Sequence, residues 1–106
     1  MATKNYSGSD LGEDFKQFFR KEKRRLTDIL KAKGCTQIEL GYSFYYFSGF
    51  FTSPTGQVYY LSCSDVRHWG YDKLLIRTAE HYKDYRGGSN QYCSIDRQSL
   101  LNFNLK

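Results

Sequence analysis

Among side chains that do chemistry, the 106-residue chain carries two histidines, His68 and His81, and three cysteines, Cys35, Cys63 and Cys93. No H-E-x-x-H, no C-x-x-C and no other ligand spacing ties them to carboxylates, so no metal site and no cofactor are expected. A cysteine–histidine nucleophile pair is disfavoured, because Cys63 alternates into a sheet and Cys93 sits in a strand, away from the exposed, electropositive setting that activates a thiolate. Two histidines with a Lys or Arg can cleave RNA by general acid–base catalysis without a metal, but nothing in the spacing asserts that arrangement. Gly87-Gly88-Ser89 lacks the lysine and the strand–loop–helix context of a phosphate-binding loop and reads as a turn. No catalytic residue is assigned, and the expectation is a binding module rather than an enzyme.

The chemistry left is that of charge and aromatic surface. The formal net charge is +5, and residues 1–34 hold nine Lys/Arg against five Asp/Glu. Within that stretch, residues 16–25 carry six bases and one acid, Glu22. Apolar residues at Leu11, Phe15, Phe18, Phe19, Leu26, Ile29 and Leu30 follow the i, i+3, i+4, i+7 recurrence of an amphipathic helix. Asp10 and Glu13 form a capping-box pattern at its start, and Gly34 suits the left-handed position just past its end. At about 100° per residue, Lys16, Arg20, Lys23, Arg24 and Lys31 project opposite the phenylalanines as a basic stripe. Such a stripe is either a solvated face or a polyanion contact that tracks phosphates and releases counterions. Glu22 projects among the apolar residues, and a carboxylate there needs a partner: Arg25 three residues on, or an arginine or tyrosine hydroxyl from the sheet.

After Gly34 the period changes from 3.6 to 2. Thr36 to Tyr42 alternates, with Ile38, Leu40 and Tyr42 on one face and Gln37 and Glu39 on the other. Phe44 to Thr52 is aromatic on both faces, with Phe44, Tyr46 and Phe50 opposed to Tyr45, Phe47 and Phe51. Ser53-Pro54-Thr55-Gly56 reads as a type I turn with a glycine bulge, leading into a strand from Gln57 to Cys63. That turn predicts Phe51 opposite Tyr59, Phe50 opposite Tyr60, Gly49 opposite Leu61 and Phe47 opposite Cys63. One helix covers one face, so the second needs the C-terminal segment, another subunit or a ligand.

Ser64 to Tyr71 reads as a loop, Lys73 to Ala79 as a fourth strand, and Thr78 to Asn90 as a mobile polar-aromatic loop. Tyr92 to Ile95 suits a last strand, and Asp96 an N-cap for a helix from Arg97 to Phe103. Arg67, His68, Trp69 and Tyr71 in the first loop, and Tyr82, Tyr85 and Arg86 in the second, have the composition of a contact surface.

The expected fold is α+β: a long N-terminal helix on a three- to five-stranded antiparallel sheet, with the C-terminal helix and loops closing an edge or part of the other face. Residues 1–9 are expected to be a flexible tail and residues 10–106 one domain. With no apolar run of about 20 residues, no signal-peptide core and no C-x-x-C pair, the expected setting is cytoplasmic, with reduced thiols and no membrane partner. The expected partner is a nucleic acid, single-stranded by preference, contacted by the basic helix face and exposed aromatics. The alternative is a protein-binding accessory factor, such as a stoichiometric inhibitor of the kind mobile elements encode, or a self-associating domain that forms a homo-oligomer through the aromatic sheet face.

Overall fold

The computed structural model describes residues 11–43, 45–66, 70–85 and 87–106, with residues 11–13 described in the backbone alone. Helix α1 (Leu11–Ala32) is followed by five strands, β1 (Thr36–Ser43), β2 (Tyr46–Thr52), β3 (Val58–Cys63), β4 (Lys73–Ala79) and β5 (Gln91–Ser94), and by helix α2 (Arg97–Asn102). The strands form one antiparallel sheet in sequence order, the α+β arrangement expected. The Asp10–Glu13 capping box, the tail, Phe44, Arg67, His68, Trp69 and Arg86 lie outside the described residues or side chains.

Local sequence chemistry sets the ends of these elements. Gly34 takes φ +90°, its N–H donates to the Lys31 carbonyl, and the Cys35 N–H donates to the Leu30 carbonyl. These two bonds satisfy the last orphan carbonyls of α1 and turn the chain toward the sheet. Gly56, at φ +95°, closes the β2–β3 turn, its N–H donating to the Ser53 carbonyl. All four predicted cross-strand pairs are found. The Asp96 carboxylate accepts from the Ser99 N–H at 2.9 Å and caps α2, and these bonds hold its pKa below the ordinary value. The part of the stability that Asp96 contributes is therefore present above the usual carboxylate pKa and is lost as pH falls through the depressed folded value.

The core lies between α1 and one sheet face. Phe15, Phe19, Leu26, Ile29 and Leu30 of α1 pack on Leu40, Phe47, Phe51, Leu61, Leu74 and Ile76. The Phe51 and Tyr59 rings stack across β2 and β3 at 5.4 Å. Helix α2 sits beside α1 on this same face, with Leu100 in the core, and the Lys33 ammonium donates to the Leu101 and Phe103 carbonyls at its C-terminal end. The C-terminal helix therefore does not cover the opposite face. Its only apolar surface, Leu100 and Leu101, matches the end of α1 that the sheet leaves open.

Close packing is most demanding at Gly49, where an added Cβ would run into the Glu39 carbonyl oxygen and sit 2.8 Å from the Leu40 Cα. Both obstacles are backbone atoms, which cannot rotate away. Gly41, its diagonal neighbour on β1, has nothing within 4 Å of the same atom. Gly49→Ala is expected to lower the urea-unfolding free energy by about 2 kcal/mol or more, and Gly41→Ala to change it by less than about 0.5 kcal/mol.

Candidate functional site

Lys16, Arg20, Lys23, Arg24 and Lys31 are all exposed on the face of α1 turned away from the sheet. No salt bridge among the described residues engages any of them, and the one ion pair on α1 joins Glu22 to Arg25. The stripe is thus a line of cations without an ion pair among the described residues. Its orientation depends on Glu22, which the sheet-facing side of the helix brings to 15% side-chain exposure. Arg25 Nη2 donates to Glu22 Oε1 at 2.8 Å and to the Ile95 carbonyl at 2.8 Å, while Arg25 Nε donates to both carboxylate oxygens. The Tyr71 hydroxyl donates to the same Oε1 at 2.8 Å. Glu22 thus finds both kinds of partner expected of it, the arginine on its own helix and a tyrosine from beyond it, and the node ties α1 to the β5–α2 junction.

Tyr71 was expected on a contact loop, and this is corrected: it is 3% exposed and belongs to the core. Its ring meets Phe18 edge-on at 5.1 Å and Phe47 at 5.8 Å, and burial beside the Glu22 carboxylate pushes its phenol pKa up. Val66, before it, is buried as well, so the described ends of this loop face the helix-side core. The Gly70 N–H donates to the Val66 carbonyl, an i to i+4 bond that brings these ends together.

The second loop folds onto the opposite sheet face instead of standing free. Tyr82 packs its ring against Phe50 at 5.6 Å, and its hydroxyl reaches the Gln37 carbonyl and Thr52 Oγ1. Tyr85 meets the Phe50 and Tyr60 rings at 5.5 and 5.8 Å. Arg77 lies over the Tyr60 ring, 4.4 Å from its centre, and donates to the Tyr85 carbonyl. Gly87 and Gly88 press on Thr78, whose carbonyl accepts from the Gly88 N–H at 2.8 Å; a Cβ at Gly87 would overlap that carbonyl. These contacts pack the described part of the loop on the sheet, where Phe50 and Tyr60 need apolar cover. Phe50 is consequently 5% exposed.

Beyond Tyr85 the cover stops. A shallow groove of about 500 Å³ begins there, floored by Gly41 and Ser48, flanked by Lys83 and Tyr85, and wrapping the free edge of β1 to Tyr42 and Lys23. Lys23 belongs to the basic stripe, so helix face and sheet groove are continuous. The exposed large rings of the described residues are Tyr42, Tyr46, Tyr85 and Tyr92. Of the expected loop contacts among the described residues, Tyr85 is exposed, whereas Tyr82 is half-buried with its ring on Phe50 and Tyr71 is buried. Tyr42, Tyr92 and Lys83 were missed, although strand alternation placed Tyr92 opposite Cys93 and so away from the core.

His81 is exposed, with Nδ1 2.8 Å from the Tyr82 carbonyl oxygen. Among the described residues no cluster of three His, Cys, Asp or Glu side chains forms that could hold a metal ion, and no helix is long and apolar enough to cross a membrane. The three cysteines are free and buried. Burial raises all three thiol pKa values, that of Cys63 to about 12. No family model, no curated protein and no solved structure matches this chain.

Two outcomes are expected. Glu22→Ala, which leaves Arg25 and the Tyr71 hydroxyl without their shared acceptor, should cost about 2 to 3 kcal/mol in urea unfolding, against about 1 kcal/mol for Tyr71→Phe. The Cys63 thiol ionises near 9 when unfolded and near 12 when folded. Below pH 9 both states keep the proton and nothing is lost; above it the unfolded state releases the proton first, so stability falls as pH rises. The decline between pH 9 and 10, measured by urea unfolding, should be shallower in Cys63→Ala.

Proposed function

We propose that this chain is a small non-enzymatic module that binds single-stranded nucleic acid, with the exposed face of α1 tracking phosphates. The observation that carries the reading is the run of Lys16, Arg20, Lys23, Arg24 and Lys31, free of ion pairs within the described residues and continuous through Lys23 with a groove bearing exposed tyrosines. Cations that already had acidic partners would gain little from a phosphate. Unpaired ones release counterions on binding, which makes the affinity depend steeply on salt. A domain of +5 is mildly basic, so the aromatic surface has to supply part of the affinity.

A second reading rests on the free edge of β1. This strand has eight residues and pairs only with β2, leaving a row of backbone donors and acceptors to which a protein partner or a second copy can add a strand. An accessory factor or inhibitor would bind in this way with little dependence on salt.

Fluorescence anisotropy with a labelled single-stranded oligonucleotide separates the two. With about four phosphates contacted, affinity should fall roughly 50-fold between 50 and 200 mM salt. Reversing charge at Lys16, Arg20, Lys23 and Arg24 together should abolish most of that slope. Absence of binding at 50 mM salt, with light scattering showing a mass above 12.5 kDa, would transfer the case to the β1 edge.

A further inference from the structure

We infer that the part of the second sheet face left open by the described residues is a base-stacking track for an unpaired nucleic-acid strand, running across the strands from Tyr92 to the β1 edge. The inference rests on the reading of the chain as a nucleic-acid binder and adds to it the place where bases, as distinct from phosphates, are held.

The track follows from the register. Gly41 pairs with Ser48, Ser48 with Ser62, Ser62 with Leu75 and Leu75 with Tyr92, so these five residues form one row across all five strands on the face away from α1. The first three have a hydrogen or a hydroxymethyl for a side chain, which makes a trough about 10 Å long over β1 to β3 at the usual strand spacing, continued by Leu75 and closed by Tyr92. On one side stands the Phe50–Tyr60 row with Tyr85 above it. On the other, two residues along the strands, stand Tyr46 on β2 and Lys73 on β4, both exposed. The two walls are about 13 Å apart along the strands, a width that suits a single strand lying across the sheet.

Its chemistry favours a nucleic acid over a peptide. Tyr85 is 58% exposed and Tyr92 63%, and each presents a flat ring with a hydroxyl at its end. Every base has a face that stacks on such a ring whatever its sequence. A peptide seeking a hydrophobic pocket would find glycine and serine over β1 to β3, with Leu75 beyond them. Where the trough leaves the sheet, Lys83 and Lys23 line its mouth, with Glu39 the one acid there. A strand leaving the trough at β1 therefore passes directly onto the basic face of α1. The hydroxyls differ in use: Tyr82 spends its own on Gln37 and Thr52, whereas those of Tyr85 and Tyr92 make no hydrogen bond among the described residues, although the Tyr85 ring also packs on Phe50 and Tyr60.

The test compares a labelled twelve-nucleotide oligothymidine with an abasic oligomer of equal length and charge, each titrated with wild-type protein, Tyr85→Ala/Tyr92→Ala and Ser48→Val/Ser62→Val. Both tyrosines are mostly exposed, so the first variant is expected to keep the fold, and the second fills the trough with residues that strands favour. The wild type should bind the oligothymidine about tenfold or more tighter than the abasic chain, and both variants should bring the two within about twofold, with the salt slope unchanged. Equal binding of both oligomers by the wild type, or a preference that survives in both variants, would overturn the stacking track while leaving the helix face as a phosphate site. Failure of the wild type to bind either oligomer would overturn the nucleic-acid reading and the track with it.

Discussion

Strand β2 is apolar on both of its faces, and most of the architecture follows from that one constraint. Phe47 and Phe51 point to one side, Phe50 to the other, and all three are buried. An aromatic side chain left in water forfeits about 2 to 3 kcal/mol of burial, so a strand of this composition has to be sandwiched. A chain of this length has one long helix to give. Helix α1 takes the Phe47–Phe51 side, and α2 joins it there because the remaining core surface at Leu26, Ile29 and Leu30 lies on that side. Phe50 is left to the β4–β5 connection, which covers it with two tyrosine rings and no secondary structure at all.

Covering a sheet face with a loop has consequences of its own. A helix would lie across the whole sheet, whereas an eleven-residue connection reaches only the rows nearest its own ends. The loop therefore holds Phe50 and Tyr60 and stops one row short of Gly41, Ser48 and Ser62. Those residues are small, whereas the row under the loop carries the Phe50 and Tyr60 rings. The loop is also fixed by long-range contacts in place of local ones: Tyr82 reaches the bulged Gln37 of β1, and Arg77 holds the Tyr85 carbonyl. Gln37 and Lys83 both take left-handed backbone angles, φ 51° and 71°, at the two ends of this bracing. Conformations of that kind persist in non-glycine residues only where the surroundings dictate them.

The parts of this fold that were legible in the sequence are those set by short-range rules. The spacing of Phe15, Phe19, Leu26 and Ile29 specified the helix and its buried face. Pro54 and Gly56 fixed a turn type, and the turn type fixed four cross-strand pairs without any knowledge of the tertiary structure. Glu22 stood out because a carboxylate cannot occupy an apolar face alone, and the need for a partner pointed to Arg25, or to an arginine or tyrosine hydroxyl from the sheet. What escaped was every feature that depends on residues far apart in the chain. Tyr71 reads as a loop residue beside Gly70, and nothing near it announces a carboxylate 49 positions earlier. The 80–90 segment has the composition of a free loop, and nothing local announces that Tyr82 and Tyr85 pack on Phe50 and Tyr60.

The candidate site was legible by halves for the same reason. The basic stripe is a local property of one helix and could be read from its period. The groove it joins is assembled from β1, β2 and the β4–β5 connection, and its floor is defined by the absence of large side chains. Glycine and serine in a strand carry no signal until the register places them in one row. Once Gly41, Ser48 and Ser62 are aligned, the neighbouring tyrosines cease to be scattered exposed rings and become the borders of a surface. A helix rich in cations is common and by itself selects no partner. On the reading proposed above, its continuity with an aromatic-edged trough suits a partner having both charge and flat faces, a combination that unpaired nucleic acid provides along its whole length.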